Sequence, residues 1–143
     1  MLEKVDTPPK AIVIVDDEKS FTDLLGNLLE EHFTCPILMF RSPAALLKKL
    51  PELNIGILVT DYYMPHMNGL ELIRIVSELT PSGPPCILIT GHLFEPGEHE
   101  ESKLSCFKEV LPKPFRWQLL ASMIVRHWPA GHPSPLRHGV NSF

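Results

Sequence analysis

The chain has 143 residues, a formal net charge of −4, and 44% hydrophobic and 21% charged residues. This length suits one folded domain, and the composition is that of a globular protein. The acidic charge argues against nucleic acid as a direct ligand, because binding to a phosphate backbone needs a basic surface. The sequence shows neither an apolar run of the ~18 residues that a membrane helix needs nor an N-terminal signal-peptide core. We therefore expect a cytoplasmic protein without a membrane partner.

The hydrophobic pattern predicts strands and helices in alternation. Short apolar runs rich in β-branched residues predict buried strands, and apolar residues three and four positions apart predict amphipathic helices. In chain order, the predicted elements are strand 11–15, helix 18–33, strand 37–40, helix 42–50, strand 55–59, helix 70–79, strand 86–89, a short or poorly formed helix within 93–106, strand 110–111 and helix 115–128. Such alternation produces a five-stranded parallel sheet with helices on both faces, an α/β three-layer sandwich whose strand order the pattern leaves open.

Local signals mark the ends of these elements. Asp16 or Asp17 is placed to cap the first helix, and Ser42-Pro43 supplies a cap and a first helical residue for the second. Asn68-Gly69 predicts a tight turn before the third. The domain organisation that we expect is a flexible lead-in at 1–9, a folded domain at 10–128 and a flexible, Pro/Gly/His-rich tail at 129–143.

Polar groups capable of chemistry follow four of the five predicted strands. They are Asp16-Asp17, Asp61, Thr90 and Lys113. Because the carboxyl ends of parallel strands lie at one edge of a sheet, we expect these groups to converge. Carboxylates gathered in one place repel one another unless a cation lies among them, and Mg²⁺ prefers such oxygen ligands. An ionised carboxylate beside that cation could attack a phosphorus atom, while the lysine and the threonine hydroxyl bind the transferred group.

The same residues carry a family resemblance. The segments D-D at 16–17, D-x-x-M-P-x-M-x-G at 61–69, T-G-H at 90–92 and L-P-K-P-F at 111–115 occur in one order at compatible spacings. Together they resemble the receiver domain of two-component response regulators, over about residues 10–128. The resemblance implies a flavodoxin-like sheet with strand order 2-1-3-4-5. It also implies a signalling switch rather than a conventional enzyme.

The resemblance implies a role for each site residue. Asp61 would be the phosphoacceptor, and Mg²⁺ (or Mn²⁺) would be the cofactor. The implied metal ligands are Asp17 as the main one, Asp16 through water or in an assisting role, Asp61 itself and the backbone carbonyl of Tyr63. Thr90 and Lys113 would bind the phosphoryl group. The implied partners are a sensor histidine kinase or a histidine phosphotransfer protein as donor, and a downstream protein that the sequence does not name.

Two departures from the family pattern concern the transmission of a signal. Val110 stands three residues before Lys113, where the family usually has Tyr or Phe, and valine cannot reproduce the inward turn of an aromatic ring. The preceding segment contains Pro96-Gly97 and several glutamates, where the family usually has a regular helix. We therefore treat Val110 as a degenerate switch position.

A third departure concerns the lifetime of the phosphorylated state. Tyr63 and His92 each lie two residues after a site residue, where the family tunes hydrolysis of the acyl phosphate. The bulk of Tyr63 is expected to hinder an attacking water, which predicts a long-lived phosphoryl group.

Alternative functions remain at this stage. A pseudo-receiver, an interaction module whose output does not depend on phosphorylation, is favoured by Val110 and by the acidic segment before it. A phosphohydrolase of the haloacid dehalogenase type would need an aspartate as general acid where Tyr63 stands. A flavin-binding flavodoxin is disfavoured too, because Asp16-Asp17 would repel the phosphate of the cofactor.

Overall fold

The computed structural model describes residues 8–91 and 94–139 of the chain. Within them the strands are β1 (Ala11–Val15), β2 (Ile37–Phe40), β3 (Ile55–Asp61), β4 (Cys86–Thr90) and β5 (Phe107–Pro112). The α-helices are α1 (Lys19–His32), α2 (Pro43–Lys49), α3 (Gly69–Leu79) and α4 (Trp117–His127). Short 3₁₀ turns occupy Leu50–Glu52, Pro96–Glu98 and Glu100–Lys103.

The five strands form one sheet in the order β2-β1-β3-β4-β5, and every pair is parallel. This confirms the predicted α/β sandwich and the strand order that the resemblance implied. Each face of the sheet carries its own apolar cluster. One cluster joins the sheet to α2 and α3, with Val13, Leu58 and Leu72 fully buried. The other joins it to α1 and α4, with Ile57 and Leu120 fully buried.

Two helix starts follow from side-chain caps. The Ser42 hydroxyl accepts a hydrogen bond from the backbone N–H of Ala45 at 3.1 Å, with Pro43 as the first residue of α2. At the start of α3, the Asn68 side chain accepts from the backbone N–H of Glu71 at 2.9 Å. Asn68-Gly69 therefore begins the helix directly, instead of forming a separate turn before it.

The prediction that Asp16 or Asp17 caps α1 is wrong. The N-cap is Glu18, whose side chain makes no capping hydrogen bond. The Asp16 carboxylate instead accepts the backbone N–H of Glu18 at 2.9 Å, just before the helix begins. This contact leaves the other Asp16 oxygen free to face the edge of the sheet.

The described part of the connection between β4 and β5 forms 3₁₀ turns in place of a regular helix. Residues 94–106 contain two 3₁₀ turns and no α-helix, because Pro96-Gly97 interrupts the chain there. The following strand is longer than predicted: β5 spans six residues and pairs with β4 from Phe107 onward. The sequence pattern missed the start of this strand because it contains Lys108 and Glu109. An edge strand accommodates charged residues and so needs no continuous apolar run.

The segment after α4, which we expected to be a flexible tail, contacts the end of α1. The backbone N–H of Thr34 donates to the Pro135 carbonyl at 2.7 Å, and the backbone N–H of Arg137 donates to the His32 carbonyl at 2.8 Å. The Arg137 guanidinium donates to the Glu30 carbonyl at 2.8 Å and 3.1 Å. Residues 135–137 thus return to the C-terminal end of α1, while the expected lead-in at 1–9 lies mostly outside the described residues.

None of the helices in the described ranges combines the length and apolar character needed to cross a membrane.

Candidate functional site

Four connections meet at the carboxyl edge of the sheet. Asp16 directly follows β1, and Asp61 is the last residue of β3. Thr90 ends β4, and Lys113 directly follows β5. All strands are parallel, so these four positions lie at the same edge.

Three carboxylates form the centre of the site. One carboxylate oxygen from each of Asp16, Asp17 and Asp61 lies within 4.8 Å of the other two. Asp16 is 1% exposed and Asp61 is 7% exposed, whereas Asp17 is open to solvent. The cluster therefore has a buried base and an open side from which an ion or a phosphate can enter.

Lys113 supplies the positive charge of the site. Its Nζ lies 3.2 Å from Asp16 Oδ2 and 3.6 Å from Asp61 Oδ2. The same Nζ lies 4.7 Å from the centre of the Phe21 ring, which holds the cation by a cation–π contact. The backbone N–H of Lys113 donates to the Thr90 carbonyl at 2.8 Å, so that the lysine is tied to the end of β4.

Burial and neighbouring charges shift two pKa values in the site. Burial raises the pKa of Asp61, and the negative charges of Asp16 and Asp17 raise it further, while Lys113 opposes the shift. For Lys113, burial acts to lower the pKa, but the charges of Asp16 and Asp61 outweigh it, so that the pKa is raised. The lysine thus stays protonated at neutral pH, and one cation faces three acidic groups.

The loop after β3 is held close to the sheet. The backbone N–H of Tyr62 donates to the Ile89 carbonyl at 2.7 Å, and the N–H of Gly69 donates to the Tyr62 carbonyl at 2.8 Å. A Cβ atom at Gly69 would lie 2.3 Å from the backbone oxygen of Asp61. Glycine is therefore required there by this close approach. His66 adopts a positive φ of 72° within the same loop.

The donor set fits a hard divalent cation. Carboxylate oxygens are the ligands that Mg²⁺ prefers, usually one or two of them together with waters. Asp17 and Asp61 offer oxygens on the open side of the cluster, and Asp16 is partly engaged by Lys113 and by the backbone of Glu18. A bound cation would also offset the repulsion among the carboxylates.

The structure brings together four of the predicted site residues, namely Asp16, Asp17, Asp61 and Lys113. Thr90 is buried at the end of the neighbouring strand, and the side chain of Tyr63 is 73% exposed beside the site. Val110 is half-buried in β5, paired with Leu88. His92 lies outside the described residues.

An aromatic cluster lies beside the site and was not predicted from the sequence. The Tyr62 ring contacts the Phe94 ring edge to face at 5.7 Å between centroids. The Phe94 ring stacks on the His99 ring at 4.6 Å, with only 4° between their planes. Phe94 also approaches Phe107 at 6.5 Å. No short motif links these positions. The signal lay only in the number of aromatic and histidine residues within the β4–β5 connection.

Comparisons with known proteins point to one family. The family model of the response regulator receiver domain matches residues 12–125. The transcriptional regulatory protein FixJ of Bradyrhizobium diazoefficiens is 33% identical over 114 residues, which cover 79% of this chain and 54% of FixJ. The chain thus spans about half the length of that relative. A 14.6 kDa protein of Leptolyngbya boryana is 35% identical over 108 residues, covering 72% of this chain and 78% of that protein.

A solved structure agrees with the sequence matches. The response regulator receiver domain protein from Clostridium thermocellum superposes with a TM-score of 0.71 at 26% sequence identity. The match covers 82% of this chain and 93% of that one.

Proposed function

Because the chain belongs to the response regulator receiver domain family, we propose that it is a phosphorylation switch in which Asp61 accepts a phosphoryl group. The single observation that carries this proposal is the meeting of three carboxylates and one lysine at the carboxyl edge of the sheet. The folded unit that would do this is residues 10–128.

Each side chain has a role in the proposed transfer. The ionised Asp61 carboxylate attacks the phosphorus atom of a phosphohistidine, the phosphorus–nitrogen bond breaks, and the imidazole leaves with a proton. Lys113 and the Thr90 hydroxyl bind the oxygens of the transferred group. Lys113 is already 3.6 Å from Asp61, so it moves little to reach a phosphoryl oxygen.

Asp17, Asp16 and Asp61, with the Tyr63 backbone carbonyl, would hold Mg²⁺ (or Mn²⁺). When bound, that ion neutralises charge on the phosphoryl oxygens. Support comes from the three carboxylates, whose oxygens lie within 4.8 Å of one another, and from the exposure of Asp17, which leaves a side open to the ion.

The chemistry implies partners by class. A carboxylate that accepts a phosphoryl group from a histidine needs a sensor histidine kinase or a histidine phosphotransfer protein as donor. The proposed output is contact with a downstream protein, without direct binding to nucleic acid.

The second candidate function is a pseudo-receiver, which signals without phosphorylation. The observation that favours it is Val110: the aliphatic side chain on β5 is half-buried and cannot swing as an aromatic ring does. The absence of an α-helix between β4 and β5 among residues 94–106 points in the same direction.

The first experiment tests the chemistry. The protein is incubated with acetyl phosphate and Mg²⁺, and its intact mass is measured. We expect one added phosphoryl group, lost in Asp61→Asn and when EDTA replaces Mg²⁺. Asp23→Asn, which removes an exposed carboxylate of α1, is the matched control and should label normally. A wild-type protein that does not label would contradict the proposal.

The second experiment separates the switch from the pseudo-receiver. Amide hydrogen exchange of residues 94–114 is compared before and after phosphorylation. A switch changes protection in this region. Labelling without any such change would favour the pseudo-receiver, with a phosphoryl group that drives no output.

A further inference from the structure

Two cysteines lie side by side at the amino edge of the sheet, opposite the carboxylates. Cys86 is the first residue of β4, and Cys106 directly precedes β5. The backbone N–H of Cys86 donates to the Cys106 carbonyl at 2.7 Å, and the two thiols are themselves linked by a hydrogen bond. A disulfide joins residues whose Cα atoms lie about 4.4–6.8 Å apart, and this backbone hydrogen bond holds the two cysteines on directly adjacent segments of the chain.

Only one of the two thiols faces a route from solvent. Cys106 lines an open cleft of about 400 Å³ whose walls include Lys108, Arg126 and His127. Cys86 is fully buried behind it, and its Sγ lies 3.2 Å from the carbonyl oxygen of Pro84. A small polar oxidant can therefore approach Cys106 through this cleft, whereas Cys86 lies buried behind it.

The environment divides the roles between the thiols. The hydrogen bond from Cys86 lowers the pKa of Cys106 to about 7, against the effect of burial, and the charge of Lys108 lowers it further. The same hydrogen bond and burial raise the pKa of Cys86. Because the thiolate is the nucleophile in thiol chemistry, Cys106 is the thiol that reacts first.

We propose that Cys106 and Cys86 form a peroxide-sensitive dithiol, in which Cys106 reacts with hydrogen peroxide and Cys86 closes a disulfide. The Cys106 thiolate attacks one peroxide oxygen, the oxygen–oxygen bond breaks, and hydroxide leaves and takes a proton to become water. Cys86 sulfur then attacks the sulfur of the Cys106 sulfenic acid, the sulfur–oxygen bond breaks, and a second water leaves. Two thiols are oxidised, and one peroxide is reduced to two waters.

The site is independent of the proposed phosphorylation chemistry. It lies at the opposite edge of the sheet from Asp61 and uses none of the residues assigned to phosphoryl transfer. The disulfide would join the start of β4 to the end of the β4–β5 connection, the region in which this chain departs most from the family pattern. Oxidation would therefore restrict the motion of residues 94–105 by a route separate from phosphorylation at Asp61.

The test uses the whole chain and its third cysteine as an internal control. Cys35 is half-buried near the end of α1, and burial raises its pKa, so it should stay reduced. The reduced protein is treated with equimolar hydrogen peroxide, alkylated in denaturant and measured by mass spectrometry. We expect the loss of two hydrogen atoms, a single alkylated thiol at Cys35, and a digest in which the Cys86 peptide is linked to the Cys106 peptide.

Variants assign the order of the two steps. Cys86→Ala should stop at the Cys106 sulfenic acid, which dimedone traps, and Cys106→Ala should abolish oxidation at this site. Cys35→Ser should leave the disulfide unchanged. The proposal is overturned if all three wild-type thiols alkylate after peroxide treatment, or if Cys35 is the cysteine that is linked or trapped. The wild-type digest decides this even if a variant folds poorly.

Discussion

Replacing Asp61 by asparagine should stabilise the fold when no divalent cation is present. The substitution keeps the shape of the side chain but removes one negative charge from a cluster of three carboxylates. Asp61 ends a fully buried strand and is 7% exposed, so solvent screens its charge poorly. The ionised carboxylate therefore destabilises the folded state relative to the unfolded chain, in which the charges separate.

The distances give the magnitude. At an effective dielectric constant of about 20, two like charges no more than 4.8 Å apart repel by at least ~3.5 kcal/mol. Asp61 has two such repulsions, with Asp16 and Asp17. Its attraction to Lys113 at 3.6 Å is ~4.6 kcal/mol on the same scale. The difference is a net cost of at least about 2 kcal/mol, which corresponds to a rise of at least roughly 4 °C in Tm for Asp61→Asn.

The pH dependence follows from the raised pKa of Asp61. A group with a higher pKa in the folded state stabilises the fold while it is protonated and loses that contribution as the pH rises through the folded pKa. The ionised carboxylate is therefore unfavourable at neutral pH. Below the ordinary value of 3.8, the group is protonated in both states. The advantage of Asp61→Asn should thus be full at pH 7 and shrink as the pH approaches 3.8.

Urea unfolding in EDTA at pH 7 and pH 4.5 measures the effect, with Asp23→Asn as control. Asp23 is an exposed partner of Lys19 on α1, so its replacement should change stability by less than about 0.5 kcal/mol. Added Mg²⁺ should stabilise the wild type and not Asp61→Asn. If Asp61→Asn is no more stable than the wild type in EDTA at pH 7, the electrostatic reasoning is refuted.

Three further predictions concern packing, capping and hydrolysis. Gly56→Ala should lower the free energy of unfolding by about 1–3 kcal/mol in urea, because its Cβ would lie 2.4 Å from the Trp128 ring. Gly97→Ala should be nearly neutral, because no atom of the described residues would lie within 4 Å of a Cβ there. Asn68→Ala should lose about 1 kcal/mol, since its side chain caps α3, and unchanged stability would contradict that role. In Tyr63→Asn, the acyl phosphate should decay faster than in the wild type when the label is followed by mass over time; slower decay would exclude Tyr63 as a barrier to water.

The sequence predicted the fold and the place of the site for one reason. Strands buried on both faces have continuous apolar runs, and their ends are marked by polar residues, here Asp16, Asp61 and Thr90. Alternation with helices makes the strands parallel, which puts all these ends at one edge. The convergence of Asp16, Asp61 and Lys113 therefore followed from chain order. The strand order required the family resemblance, which the matching family model then confirmed.

The sequence failed where a contact depends on residues far apart in the chain. The predicted N-cap of α1 was wrong because an aspartate before a helix can either cap it or serve another site. The placement of β1 directs the carboxylates of Asp16 and Asp17 toward Asp61. The length of β5 was missed because pairing with β4, rather than its own hydrophobicity, makes Lys108 and Glu109 part of a strand.

What the amino-acid sequence determined by itself was the alternation of elements and the chemical types at the strand ends, since both are local properties of the chain. Only the tertiary structure decided which groups share an environment. It brought Cys86 against Cys106, Phe94 against Tyr62, and residues 135–137 against α1. These contacts arise from packing between elements distant in the chain, and no local pattern encodes which side chains will meet there.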